Sequence, residues 1–190
     1  YDAAQAARRE WQNEERPARA TVQYRAPRTT PLDAQTTAGV PNYAYGYAAQ
    51  AVEVEVDIHT GLVRVLTVIS AHDVGKAINR QQVEGQIEGG VVQGLGYVLM
   101  EHYQMRAGQV ITPHFSNYLL PTALDVPPLI VPLILEHAAR EGAYGARGVA
   151  ELPLVPLPGA VAAAIHQAIG IWPDALPITP ERVLAALGKI

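Results

Sequence analysis

Four apolar residues, Val52, Val54, Val56 and Ile58, alternate with Glu53, Glu55 and Asp57, and this period of two constrains the fold more than any other feature of the chain. Such a run buries one face only as a strand. His59-Thr60-Gly61 then turns the chain into Leu62, Val63, Val65, Val68 and Ile69. The pair reads as a β-hairpin whose second strand, more continuously apolar, is the better covered.

Between Arg80 and Glu101 the period lengthens, with Val83, Ile87, Val91, Leu95 and Val98 or Leu99 on one side, which predicts a buried helix. Gly85, Gly89, Gly90, Gly94 and Gly96 lower its intrinsic propensity by about 1 kcal/mol each relative to alanine, so something has to approach its backbone closely. Short strands are expected at Tyr103 to Arg106 and Gln109 to Thr112, turned by Ala107-Gly108, and a longer one at Leu129 to Glu136. An apolar helix from Pro158 to Ile169 stops at Gly170, and Thr179-Pro180-Glu181 opens a last one with Thr as cap and Pro in the first turn.

At the front, Ala3 to Glu15 reads as a helix stopped by Pro17, and Arg16 to Tyr47 as an extended, proline-rich arm that needs a surface to lie on. The chain therefore divides into residues 1–50, a helix and arm, and residues 51–190, an α+β unit with a mixed sheet, hairpins and a buried glycine-rich helix. Strands and helices do not alternate strictly enough for a doubly wound sheet.

Composition narrows the chemistry. With 49% hydrophobic and 17% charged residues, the chain of 190 residues has the material for a core. It lacks cysteine, which excludes disulfides, thiolate zinc sites and cysteine-held iron–sulfur clusters within it. A formal charge of −4 gives no reason to expect nucleic acid. The longest apolar stretch, Leu152 to Ile165, is broken by Pro153, Pro156, Pro158 and Gly159 and falls short of the roughly 20 residues of a bilayer span, so it is expected to be buried. No signal peptide is visible and the chain opens with Tyr1, so it reads as the C-terminal piece of something longer, in the cytoplasm.

Two glycine-rich segments are candidates for ligand approach: Gly85-Gln86-Ile87-Glu88-Gly89-Gly90 and Gly142-Ala143-Tyr144-Gly145-Ala146-Arg147-Gly148-Val149-Ala150-Glu151. Neither is a nucleotide fingerprint; glycine is also ordinary turn material. Glu151 leads the apolar run Leu152-Pro153-Leu154-Val155-Pro156-Leu157, which points to a poorly solvated carboxylate suited to general-base work, or else to an ordinary partner for Arg147 four residues earlier. The Gln86 amide has a donor and an acceptor for a heterocycle edge or an oxo group, or is simply solvated. Glu84 and Glu88 read as first-turn acids. Six histidines show no metal spacing, Ser70 and Ser116 lack a nucleophile-elbow context, and Tyr43, Tyr45 and Tyr47 read as core or interface packing.

Three segments together resemble the molybdenum-binding large subunits of the xanthine dehydrogenase and aldehyde oxidase family. They are Asp73-Val74-Gly75-Lys76-Ala77-Ile78-Asn79 leading into Gly85-Gln86-Ile87-Glu88-Gly89-Gly90-Val91-Val92-Gln93-Gly94-Leu95-Gly96, then Tyr118-Leu119-Leu120-Pro121-Thr122-Ala123-Leu124-Asp125-Val126-Pro127, and Gly145 to Glu151. The closing Leu176 to Arg182 fits the family's tail. The resemblance implies the C-terminal part of a molybdopterin-binding domain. It implies an enzyme that hydroxylates an N-heterocycle or aldehyde carbon with oxygen from water, with Glu151 as general base and Gln86, Gly85, Arg147 and Gly148 about the cofactor.

It further implies a molybdenum–molybdopterin cofactor, with the cytosine dinucleotide form as one candidate, and no protein ligand to the metal in this chain. Iron–sulfur clusters and FAD belong to other chains or regions, so the implied partners are the remainder of the subunit, the electron-transfer subunits and a small-molecule substrate. Two departures stand out: Ala150 replaces the usual glycine before the glutamate, and Leu152 the usual proline after it. They leave open a catalytically degenerate structural module of the same fold, or a small-ligand binding module.

Overall fold

The computed structural model describes residues 2–11 and 19–190. Its elements are α1 (Asp2–Trp11), β1 (Tyr47–Val56), β2 (Val63–Asp73), α2 (Arg80–Leu95), β3 (Met105–Arg106), β4 (Gln109–Val110), β5 (Leu129–Leu135), α3 (Leu157–Ile169) and α4 (Pro180–Ala186). The α+β expectation holds. The portion of the first expected helix beyond Trp11 and its proline stop lie outside the described residues.

The hairpin pairs antiparallel from Tyr47 opposite Asp73 to Val56 opposite Val63, so both strands run further from the turn than the alternation of Val52 to Ile58 suggests. The register shifts between Glu53 and Val54, leaving Leu66 as an extra residue on β2. That bulge has a visible effect on side-chain parity: Val63 and Val65 are buried before it, and Val68, Ser70 and His72 after it. One inserted residue thus keeps five side chains on the core face although their numbering changes from odd to even.

β5 joins the other edge of β2 in parallel, Thr67 opposite Leu129 through Asp73 opposite Leu135, giving the sheet order β1-β2-β5. Pro132, which has no N–H to donate, sits in this edge strand. α2 lies in the crossover between β2 and β5 and is capped by Asn79, whose side chain accepts from the Gln82 N–H. Its buried residues Ile87, Val91 and Leu95 follow the expected face, and the last turn widens into a π turn over Gly96–Met100.

α2 and α3 close one side of the sheet, and the main core gathers Val63, Val65 and Val68 of β2 with Val91, Leu95 and Val98, Leu157, Val161 and Ile165, and Ile178 and Val183. The apolar stretch ahead of α3 splits: Leu152–Leu154 forms a 3₁₀ turn, and the 13-residue helix proper is about 20 Å long, shorter than a bilayer core. Its Leu157, Val161 and Ile165 stripe enters the core, as the sequence predicts. Gly170 ends it in the left-handed conformation.

The remaining surface is unusually open. The chain exposes 13071 Å², whereas a compact monomer of its mass exposes roughly 8,800 Å². Residues 19–46 and 107–126 are almost entirely exposed, as are Leu129, Leu133 and Leu135 on β5. The tyrosine cluster follows suit: Tyr43, Tyr45 and Tyr47 are exposed, not packed in the core.

The glycines of α2 fall into two groups. A Cβ on Gly90 would press on the Pro153 ring at 3.0 Å and one on Gly94 on Leu157 at 2.7 Å, which is the close approach that the helix's composition requires. A Cβ on Gly85 or Gly89 would meet nothing. Gly75 is different again, since it adopts φ +66° and a side chain there would overlap the Gly145 carbonyl. In this chain Gly89→Ala is expected to raise the melting temperature by about 2–4 °C through helix propensity alone. Gly75→Ala is expected to destabilise by about 2 kcal/mol or more. Thermal melts of the two variants check the opposite signs.

Candidate active site

The turn after β2 and the segment 145–149 are stitched together through main chain. Arg147 N–H donates to the Val74 carbonyl at 2.8 Å, and Lys76 and Ala139 N–H both donate to the Gly145 carbonyl, at 3.1 and 2.8 Å. The segment is irregular, with Gly145 closing a 3₁₀ turn, and the stitching holds it across a cleft from the start of α2. The cleft, of about 580 Å³, is bordered by Val74, Asn79, Gly85, Gln86, Arg147 and Val149. Gly85, Gln86 and Arg147, far apart in sequence, thus line one cavity.

Gln86 is exposed at its rim, and among the described residues its amide has no hydrogen-bond partner. Gly85 and Gly148 leave open space where a Cβ would stand, and neither has a positive φ. Among the described residues no contact and no backbone conformation requires glycine at these two positions.

Arg147 does less for a ligand than its charge suggests. Its Nη1 donates to the Tyr45 carbonyl at 2.6 Å and Nη2 to the His137 carbonyl at 3.5 Å, its guanidinium carbon stands 5.4 Å from the Tyr47 ring centre, and Nε lies 3.8 Å from Asp73 Oδ2. The guanidinium ties the arm, β1 and the 137 loop to the segment that carries Gly148.

Asp73 is the acceptor at the centre of this knot. Its buried carboxylate takes N–H bonds from Gly75 at 3.0 Å and His137 at 3.1 Å. Burial alone would raise its pKa; the two N–H donors and the charges of Arg147 and His137 outweigh that and hold it below the usual aspartate value.

Glu151 departs from expectation. Its side chain is exposed and does not border the cleft: of the run that follows only Pro153 and Leu157 are buried, and Val155 is exposed like the glutamate. Arg147 is not its partner either, being engaged with Asp73, Tyr45 and His137. Glu151 does initiate the 3₁₀ turn, its carbonyl accepting the Leu154 N–H at 3.1 Å. Val149, two residues before it, is on the cleft rim.

The two departures at this motif leave the backbone undisturbed. Ala150 has no positive φ, so its methyl causes no left-handed strain. Leu152 donates its N–H to the Val149 carbonyl at 3.2 Å, a bond that proline could not make.

A polar group behind the turn has no counterpart in the motifs. Gln50 of β1, with Ser70 and His72 of β2, forms a hydrogen-bonded line that ends on the Pro153 carbonyl. The available signal was the bulge-shifted alternation Val68-Ser70-His72, hidden because polar residues occupy core positions. Among the described residues no three His, Cys, Asp or Glu side chains gather to hold a metal ion.

Comparison with known proteins gives this arrangement a context. Residues 2–127 match the molybdopterin cofactor-binding domain model, a match that takes in Gly85 and Gln86 and stops before Arg147. A probable xanthine dehydrogenase component of Bacillus subtilis is 36% identical over 148 residues, 78% of this chain and 20% of its own length. The aldehyde oxidoreductase of Megalodesulfovibrio gigas is 33% identical over 91% of this chain and 19% of its own. The solved aldehyde oxidoreductase of Desulfovibrio desulfuricans superposes with a TM-score of 0.79 at 32% identity, covering 94% of this chain and 19% of that one.

The chain belongs to the molybdopterin cofactor-binding domain family, in the xanthine dehydrogenase and aldehyde oxidoreductase group. It spans about a fifth of the length of the curated relatives it matches.

The Asp73 knot generates a pH prediction. Because the folded carboxyl is held below its unfolded value, its stabilisation is complete above the ordinary aspartate range, about pH 4, and is lost as the pH falls through the lower folded value. Asp73→Asn is expected to flatten that part of the acid limb in denaturant titrations at successive pH values.

Proposed function

We propose that this chain contributes one wall of a molybdenum hydroxylase active site, and that Glu151 is its general base. The observation that supports the reading most is the shared cleft: Gly85, Gln86 and Arg147 border it together, with open space at Gly85 where nothing among the described residues requires glycine. A molybdenum–molybdopterin group seated there would supply the two-electron redox chemistry that no side chain provides.

The chain's own residues do the rest. Gln86 offers an amide N–H and a carbonyl oxygen to a polar cofactor edge. Gly85 and Gly148 let a group approach the backbone, and Arg147 fixes the segment that carries Gly148. Glu151, carried on the turn after Val149, accepts the proton released from water at a carboxylate oxygen. Glu151 is solvent-exposed in this chain, so the reading requires a covering wall from the rest of the subunit.

The substrate class in this reading is an N-heterocycle or aldehyde. The cytosine dinucleotide form of the pterin, iron–sulfur and FAD partners, and a cytoplasmic location are parts of the same proposal. Two relatives from Paenarthrobacter nicotinovorans, named as the gamma subunit of a 6-hydroxypseudooxynicotine dehydrogenase complex and the large subunit of nicotine 6-hydroxylase, support an assembly of several chains.

In the complete enzyme, Glu151→Gln is expected to lower kcat by roughly 10²–10⁴-fold with molybdenum and pterin content intact; unchanged turnover would reject the role. Ala150→Gly is expected to change kcat less than about threefold, because the methyl strains nothing. A large gain would instead show that Ala150 damages the site. Steady-state kinetics normalised to bound molybdenum measures both.

A further inference from the structure

The Glu151 turn is gripped from two sides. On one, the buried Pro153 ring packs on Gly90, one helical turn beyond Gln86 on α2. On the other, Gln50 Nε2 donates to the Pro153 carbonyl at 2.8 Å and to Ser70 Oγ at 2.8 Å. Ser70 Oγ in turn lies 2.7 Å from His72 Nε2, and both residues are fully buried.

Ser70 and His72, buried at core positions, and the half-buried Gln50 have a desolvation cost that an apolar trio would avoid, so their hydrogen bonds do something that hydrophobic packing cannot. What they do is direct one amide. Ser70, accepting from Gln50 and able to donate to His72, fixes the rotation of the Gln50 amide so that its second N–H meets Pro153. Proline has no N–H of its own, and its carbonyl is the handle by which β1 holds the turn.

We infer that Gln50, oriented by Ser70 and His72, is a positioning residue for Glu151: it sets where the glutamate stands relative to the Gln86 end of the cleft. This rests on the reading of Glu151 as general base. His72 fits the part, since burial pushes its pKa below the ordinary histidine value and keeps the imidazole neutral and able to accept from Ser70. Of the charged groups on the two strands, Glu53 is bonded to Thr67 on the open face of the sheet, and Asp73, next to His72, is turned to Arg147 and His137.

The test is made in the complete, cofactor-loaded enzyme with Gln50→Met, which keeps the side chain's length and removes both N–H donors. Displacing a base by about 1 Å can cost up to 10²-fold in rate. The expected result is a kcat lower by ~10- to 100-fold, KM within about twofold, and molybdenum and pterin per enzyme unchanged. Ser70→Ala, which removes one atom from the core, is expected to show the same split at smaller amplitude. It keeps the test open if Gln50→Met fails to accumulate.

Turnover per bound molybdenum unchanged in both variants, a loss of rate that only follows loss of cofactor, or an effect confined to KM overturns the inference. A parallel Glu151→Gln enzyme separates the two levels. If it is impaired while Gln50→Met and Ser70→Ala are not, Gln50 has no positioning role and the base reading stands. If Glu151→Gln turns over normally, both fall.

Discussion

The proposed site depends on the contact between α2 and the turn that follows Glu151. Pro153 lies on Gly90 and Leu157 on Gly94, and each contact needs a residue without a side chain on the helix. The two glycines weaken α2 as an isolated helix by about 2 kcal/mol, yet they allow a proline ring and a leucine to seat directly on its backbone. That seat ties the turn following Glu151 to the helix that carries Gln86, 65 positions earlier. The sheet contributes the third side, with Gln50 reaching from β1 to the same proline.

The second knot, around Asp73, does for the cleft what the proline seat does for the turn. A buried carboxylate held by two N–H groups and faced by an arginine pulls the 145–149 segment against the end of β2. Arg147 is consumed in that work.

Much of the fold was legible because its signals are local. The Val52 to Val56 alternation, the Ile87-Val91-Leu95 face, the Thr179-Pro180 cap and Gly170 each act within a few residues and mark their elements, whereas Ile58, expected to continue the strand, lies exposed in the turn. The parallel pairing of β2 with β5 is a long-range choice with no local mark. The far halves of β1 and β2 escaped because alanine, glutamine, serine and histidine replace the apolar members of the alternation, and the bulge at Leu66 shifts its phase. At the site, motifs gave the glycines and Gln86. They could not reveal that Arg147 is internally committed, that Glu151 is exposed here, or that Gln50 holds Pro153, since all three depend on residues far away in the sequence or beyond this chain.

On the proposed reading, α2 and the Glu151 turn present Gln86 and Glu151 to a single enclosed space once the rest of the subunit is in place. A high-resolution structure of the complete, cofactor-loaded enzyme measures it directly. The account predicts Gln86 and Glu151 on the wall of one water-poor cavity, with the Gln50 bond to Pro153 intact. Glu151 found on the outer surface of the assembled enzyme, or facing away from the cavity that Gln86 borders, would contradict it.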